Sequence, residues 1–146
     1  MAILVFTTEI AADKQRVWDI MMHPDTYKEW VGAGWTGAYY DGVWEQGQKV
    51  ALLSPGQGGT LMELVEVRPY EYLFAKHVAV VNPDGTKDRD SDAAKGWVGS
   101  TESYTLKGGN GSTVVKVEIH TVPEWTSMFE EGWPNALAKL KEVCER

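Results

Sequence analysis

The chain has 146 residues, 43% of them hydrophobic, which is enough to form one folded domain with a substantial core. Its 21 acidic residues outnumber its 14 basic residues, and the formal net charge at neutral pH is -7. Because phosphate recognition depends on clustered lysine and arginine, this balance excludes nucleic acid and anionic membranes as expected partners. We predict a single domain over residues 1–146.

The first third of the chain changes from a strand pattern to a helical pattern. Residues 3–10 alternate between apolar and polar side chains, as in a strand. A helical pattern over residues 13–22 follows and stops at Pro24, and a second short helix is predicted at about residues 25–31. The N-terminal segment is too short and too alternating for a signal peptide, and no segment approaches a membrane span, so we expect a cytoplasmic protein.

Alternating patterns return in the middle of the chain. They predict strands at residues 39–40, 49–53, 60–67, 72–81, 98–106 and 113–122. Short connections rich in glycine and proline favour antiparallel neighbours. Residues 82–95 differ, because this segment is long and polar, and it is predicted to be a mobile loop.

Residues 123–146 carry an apolar stripe at helical spacing. The stripe consists of Trp125, Met128, Phe129, Trp133, Leu137, Leu140 and Cys144. Pro134 removes one intrahelical donor, so a bend is expected there, and Cys144 is expected to be a buried thiol. Such a stripe needs a broad surface to pack on. The chain order therefore predicts an α+β fold, in which a curved antiparallel sheet wraps around a long C-terminal helix and leaves room for a ligand.

Three segments together resemble the START-like superfamily, in the branch of homologues of the activator of Hsp-90 ATPase. They are IAADKQRVW at residues 10–18, EVRPYEYL at residues 66–73 and GWPNAL at residues 132–137. The resemblance implies a helix-grip fold with two short N-terminal helices and a hydrophobic cavity between the sheet and the C-terminal helix. For most prokaryote-type members it implies no established activity. Asp13 stands where many relatives have proline, and aspartate also suits a helix start.

Strand alternation places two titratable side chains on the inward face of the sheet. His77 lies in the strand at residues 72–81, and Glu102 lies in the strand at residues 98–106. If Val81 pairs with Val98, His77 lies opposite Glu102 and can form a charge-assisted hydrogen bond with it. We predict that this pair is a polar anchor in the cavity. The alternatives are a purely structural pair, or a register in which one side chain points outward.

Seven tryptophans are an excess for a chain of this length. Aromatic faces offer a large contact area at low entropic cost, so the tryptophans can form the walls of a pocket for a flat or lipophilic molecule. The alternative is that they belong to the core and its rim. The predicted ligand-binding residues are His77, Glu102, Tyr104, Trp30, Trp35, Trp97, Met62, Met128, Phe129 and Trp133, of which Met62, Met128 and Phe129 are also expected in the core.

Other chemistries receive little support from the sequence. Residues 88–92 have the alternating carboxylates of a calcium loop, but Ala93 and Gly99 occupy its glycine and bidentate-acid positions, which favours a solvated acidic loop. The histidines are far apart, no zinc-site spacing occurs, and His120 is expected to face solvent. Neither a phosphate-binding loop nor a nucleophile elbow is present. We predict no metal and no cofactor.

Three functions remain after these exclusions. The predicted one is binding of a small hydrophobic or aromatic molecule without chemistry, with residues 54–59 and 82–96 as gates. The first alternative, implied by the resemblance, is co-chaperone-like binding of a chaperone. The second is a cyclase- or dehydratase-like enzyme that uses His77 and Glu102 as general acid and base. Exposed strand edges permit either a monomer or a homodimer.

Overall fold

The computed structural model describes residues 2–146. The strands are β1 (Ala2–Ile10), β2 (Tyr39–Gly42), β3 (Lys49–Ser54), β4 (Gly58–Arg68), β5 (Tyr72–Val81), β6 (Lys87–Asp88), β7 (Thr101–Gly109) and β8 (Ser112–Thr121). The helices are α1 (Lys14–Met22), α2 (Pro24–Val31), α3 (Asp92–Trp97) and α4 (Thr126–Cys144), and a 3-10 turn at Pro123–Trp125 precedes α4. Within the described residues, no helix is both long enough and apolar enough to cross a membrane.

The two predicted N-terminal helices are confirmed, each within one residue of its expected start. The Asp13 carboxylate caps α1 by accepting a hydrogen bond from the backbone N–H of Arg16 at 2.9 Å. His23 caps α2, and Pro24 is the first residue of that helix, where the missing N–H of proline costs no hydrogen bond. The same proline therefore ends one helical pattern and begins the next.

The strands form one antiparallel sheet in the order β1-β8-β7-β5-β4-β3-β2, and β6 pairs with the end of β5. The pairing of β4 with β5 shifts between Leu61 and Met62 and again between Leu64 and Glu66. Such bulges increase the local twist and bend the sheet. Helix α4 packs its buried face against the sheet, and the curved sheet holding a long helix is the helix-grip fold that the resemblance implies.

Helix α4 buries most of the predicted stripe, including Cys144, whose thiol pKa is raised by burial to about 11. It runs from Thr126 to Cys144 with Pro134 inside it. The expectation that Met128 belongs to the core is wrong, because its side chain is 36% exposed. Each residue turns about 100° around a helix, so Met128 lies beside the face that buries Phe129.

The prediction of a loop over residues 82–95 is wrong, because this segment contains β6 and most of α3. Several of its polar side chains accept hydrogen bonds from backbone N–H groups of the same segment. The Asp88 carboxylate accepts from the N–H groups of Asp90 and Ser91 at 3.0 Å each, and the Ser91 hydroxyl accepts from the N–H of Ala94. Val98 ends α3, so β7 begins three residues later than the predicted strand.

Two glycines allow the segment after α2 to lie directly against α4. A Cβ at Gly34 would collide with the carbonyl oxygen of Gly132, and a Cβ at Gly132 would collide with the Trp35 ring. The Trp35 ring is planar and contacts Trp133 at 5.5 Å between centroids, so it has little freedom to move aside. Gly132 therefore sets how closely Trp35 approaches α4.

We predict that Gly132→Ala lowers the free energy of unfolding by about 1–3 kcal/mol, the range typical of overpacked sites. The added methyl group must displace Trp35 or push α4 away from the segment after α2. Urea unfolding followed by far-ultraviolet circular dichroism measures this change.

The matched control is Gly96→Ala in α3, where an added Cβ meets no atom within 4 Å. Alanine favours the helix there, so the free energy of unfolding should stay unchanged or rise by up to about 1 kcal/mol. Equal effects of the two substitutions would contradict the packing role of Gly132.

Candidate functional site

A cavity of about 150 Å³ lies between the inner face of the sheet and α4, with α1 and α2 closing one side. Eight of its nineteen lining residues are aromatic, and the lining contains neither lysine nor arginine. Three methionines, Met21, Met22 and Met128, complete much of the apolar wall. The cavity therefore offers aromatic faces, adaptable thioethers and one carboxylate, that of Glu102.

The structure brings nine of the ten predicted site residues to the cavity. They are Trp30, Trp35, His77, Trp97, Glu102, Tyr104, Met128, Phe129 and Trp133. Met62 is not among the lining residues. It is fully buried in β4 and pairs with His77 in the strand register, so it belongs to the core beneath the site.

His77 and Glu102 are in direct contact, with 3.0 Å between His77 Nε2 and Glu102 Oε1. The register expected from pairing Val81 with Val98 is nevertheless wrong, because Ala75 is the residue opposite Glu102. The shift of two residues keeps every side chain on its face of the sheet. Since Ala75 is small, the Glu102 side chain reaches past it to His77, its diagonal neighbour.

The contact belongs to a longer hydrogen-bonded network. The Tyr104 hydroxyl donates to Glu102 Oε2 at 2.7 Å, so both oxygens of this buried carboxylate are hydrogen-bonded. On the other side of the imidazole, the Thr60 hydroxyl lies 2.8 Å from His77 Nδ1. Trp97 Nε1–H donates to the Thr60 hydroxyl at 2.7 Å. The network thus joins β4, β5, β7 and α3.

The Thr60 hydroxyl can pair with His77 Nδ1 whether or not that nitrogen carries a proton. If the hydroxyl donates to Nδ1, His77 is neutral and its Nε2–H donates to Glu102. The hydroxyl oxygen also lies 3.2 Å from the carbonyl oxygen of Ala79. If it donates there, Nδ1 can carry a proton and donate it to the hydroxyl oxygen. Rotation of the Thr60 hydroxyl thus leaves room for a proton on His77 Nδ1.

His77 and Glu102 differ in what they present to the cavity. His77 has no exposed surface, and its ring centroid lies 4.5 Å from that of Trp97. Glu102 and Tyr104 keep 4% and 5% of their surface exposed. A molecule in the cavity would therefore meet Glu102 and Tyr104, with His77 behind them.

Two phenols near Glu102 remain neutral over a wide pH range. Burial first, and then the charge of Glu102, raises the pKa of Tyr104 well above its ordinary value. Burial also raises the pKa of Tyr27, and the Glu102 charge adds to that shift. Tyr27, which lines the cavity from α2, therefore lies within electrostatic reach of the carboxylate.

Trp133 lies at the centre of the aromatic wall. Its ring centroid is 6.1 Å from that of Trp30, 5.5 Å from that of Trp35 and 5.9 Å from that of Tyr104. Its Nε1–H is buried and has no hydrogen-bond partner among residues 2–146. An unpaired buried donor of this kind is rare in folded proteins and requires an explanation.

Ten of the nineteen lining residues are absent from the list of predicted ligand-binding residues, and three of them show which sequence signals were available. Tyr27 precedes Trp30 by three positions in α2, so helical spacing places both on one face. Thr60 precedes Met62 by two positions in a predicted strand, so alternation could have identified it. Trp44 lies in an irregular segment between β2 and β3, where no periodic signal exists.

The carboxylates and histidines outside the cavity show no metal site. Within residues 2–146, no three His, Cys, Asp or Glu side chains cluster as metal ligands would. Asp88 instead accepts hydrogen bonds from the two backbone N–H groups that precede α3. The side chain of His120 is 36% exposed, as predicted, and its Nε2 lies 2.8 Å from Glu118 Oε2.

Comparison with known proteins supports the fold and nothing finer. No protein-family model and no curated sequence matches the chain. A protein from Mesorhizobium loti is similar in structure, with a TM-score of 0.76, 16% identity, and coverage of 97% of this chain and 96% of that one. The Aha1 dimer from Colwellia psychrerythraea has a TM-score of 0.74 and 18% identity over 99% and 97% of the two chains. CalU16 from Micromonospora echinospora has a TM-score of 0.66 and 18% identity over 97% and 75%.

We predict that Tyr27 and Tyr104 do not ionise in the folded protein during an alkaline titration. The absorbance of tyrosinate should then report fewer than the six tyrosines of the chain in the native state and all six in urea. Because folding raises these two pKa values, the associated stability is complete below the unfolded pKa, about 10, and is lost as the pH rises above it.

Tyr104→Phe provides the control for this titration. It should lower the tyrosinate amplitude in urea and leave the native amplitude unchanged until the protein unfolds. A loss of equal size in both states would show that Tyr104 ionises while folded.

Proposed function

We propose that this chain binds a small aromatic molecule in the cavity between the sheet and α4. The carrying observation is an aromatic cavity whose wall contains a hydrogen-bonded carboxylate. Its volume of about 150 Å³ is similar to that of an engineered protein cavity that holds a benzene ring. A ligand with one aromatic ring therefore fits.

The more exposed lining residues mark the mouth of the cavity. Trp35, Ser54 and Met128 line it and are only partly buried or exposed. Gly37 approaches Pro55 so closely that an added Cβ would lie 3.1 Å from the proline Cδ, so the segment after α2 contacts the turn between β3 and β4. This supports the predicted gate at residues 54–59. No lining residue comes from residues 82–96, the other predicted gate.

An enzymatic role for His77 and Glu102 is the second proposal. The observation that favours it is the position of the Thr60 hydroxyl, which lies within hydrogen-bond distance of both His77 Nδ1 and the Ala79 carbonyl oxygen and can therefore act toward Nδ1 as donor or as acceptor. Since His77 exposes no surface, only Glu102 could exchange a proton with a bound substrate directly. Ligand binding requires no such exchange, and it remains the simpler use of the site.

Membership of the Hsp-90 activator-like branch, with a chaperone as partner, is the third proposal. It is supported by the three sequence segments at residues 10–18, 66–73 and 132–137. The fold similarity to the Aha1 dimer agrees with it, but at 18% identity this similarity concerns the fold alone. The cavity gives the ligand-binding proposal a site of its own, which partner binding does not require.

We predict that toluene, used as a one-ring probe, perturbs the methyl resonances of Met21, Met22 and Met128 in protein labelled with carbon-13 at the methionine methyl groups. These three side chains line the cavity, and a bound ring shifts nearby resonances. Met62 is an internal control that should shift less, because it lies in the core outside the lining.

Filling the cavity should abolish these shifts. Ala38 is buried in the lining, so Ala38→Leu adds three carbon atoms to the space that the ring would occupy. Ala93→Leu adds the same atoms at an exposed position of α3 and should leave toluene binding intact. Equal shifts in both folded variants would refute binding in this cavity.

A further inference from the structure

The Glu102 carboxylate has unused capacity to accept hydrogen bonds. A carboxylate offers about four lone-pair positions, and His77 and Tyr104 each occupy one. Because Tyr104 donates from its hydroxyl, Glu102 acts on that side as an acceptor. Glu102 is 4% exposed, and its side chain lines the cavity. A ligand with an O–H group can therefore donate to it.

Trp133 offers an unpaired hydrogen-bond donor, the counterpart of the acceptor on Glu102. Its ring lines the cavity and is 4% exposed, and its Nε1–H has no partner within residues 2–146. The nitrogen itself is buried, so a ligand acceptor reaches it only when the indole shifts to present its N–H to the cavity, and a purely hydrocarbon ligand would leave it unpaired.

Tyr104 contacts both residues, Glu102 and Trp133. Its hydroxyl contacts Glu102, and its ring centroid lies 5.9 Å from that of Trp133. A phenol side chain of this protein thus already reaches from the Trp133 ring to the carboxylate. A ligand phenol of the same length, placed beside Tyr104, would likewise reach from the Trp133 ring to the carboxylate.

The charge of the lining limits the ligand further. Lysine and arginine are absent from the nineteen lining residues, so an anionic ligand would face Glu102 without a compensating cation from those side chains. A quaternary ammonium ion would suit aromatic walls beside a carboxylate. It could neither donate an O–H to Glu102 nor accept from Trp133, so the pair of groups favours a neutral ligand.

We propose that the ligand is a neutral hydroxyaromatic molecule of one ring, whose phenolic O–H donates to Glu102 and whose acceptor substituent receives the Trp133 N–H. This inference rests on the proposed function and names its ligand class. His77 acts as a positioning residue, because it holds Glu102 while exposing no surface of its own.

Calorimetric titration with phenol, anisole, toluene and benzylamine tests the ligand class. Anisole keeps the ring and the oxygen of phenol but lacks the O–H donor. A hydrogen bond to a charged acceptor is expected to make phenol bind about tenfold or more tightly than anisole. 4-Hydroxybenzaldehyde, which adds an acceptor, should bind more tightly than phenol, and Trp133→Phe should remove that gain while leaving the preference for phenol over anisole.

A second readout reports the ionisation state of the bound phenol. 4-Nitrophenol is yellow only when ionised, and the negative charge of Glu102 should hold it in the neutral form, so binding should raise its apparent pKa and bleach the colour. Glu102→Gln removes the charge. The glutamine amide can still accept from Tyr104 and donate to His77 Nε2 if the imidazole proton moves to Nδ1. This variant should fold, with an unchanged far-ultraviolet circular dichroism spectrum, and lose the bleaching.

Each contrary result has a distinct meaning. Equal binding of phenol and anisole, alongside toluene binding, overturns the ligand class and leaves the proposed function standing. Tightest binding of benzylamine overturns the neutral ligand in favour of a cation. Deepened colour of bound 4-nitrophenol also overturns the inference. Failure of every probe to bind, toluene included, refutes the proposed function itself.

Discussion

A carboxylate enclosed by aromatic side chains is the constraint from which the arrangement of this interior follows. Burying a charge is costly unless donors reach it, and Glu102 receives one on each oxygen, from His77 and Tyr104. The imidazole of His77 then needs a partner for its second nitrogen, which is the Thr60 hydroxyl. Trp97 donates to that hydroxyl and thereby ties α3 to the sheet. The pairing of β4, β5 and β7 and the position of α3 are thus mutually dependent through one charge.

The aromatic wall explains why the space beside this carboxylate stays open. Tryptophan rings are large and rigid, and they pack against one another in offset or edge-to-face arrangements. Gly34 and Gly132 bring the segment after α2 so close to α4 that Trp35 meets Trp133 edge-on. In this arrangement the rings leave 4% of the surface of Glu102 exposed. The cavity is the space that remains between the packed aromatic rings and the hydrogen-bonded side chains around Glu102.

The sequence was sufficient for the inward face of the sheet and insufficient for its register. Alternation identified His77, Glu102 and Tyr104 as facing inward, and this conclusion survives a register error of two residues because the side-chain period of a strand is two. An error of one residue would have placed His77 outside. Helix α3 was missed because its six residues are too few for a periodic signal. Its start is specified instead by Ser91, whose hydroxyl caps the helix by accepting from the N–H of Ala94, and by Asp88, which accepts from the N–H of Ser91.

The cost of this network is itself an argument about its use. Replacing both partners of a buried hydrogen bond or ion pair by apolar side chains of similar size often leaves a protein equally stable or makes it more stable, so fold stability alone does not account for Glu102 and His77. The unpaired N–H of Trp133 has the same implication, because a phenylalanine at that position would bury a ring without burying a donor. Both features lie on the wall of one cavity. A bound molecule that accepts a hydrogen bond from Trp133 and donates one to Glu102 would offset the free energy that burying these two polar groups costs.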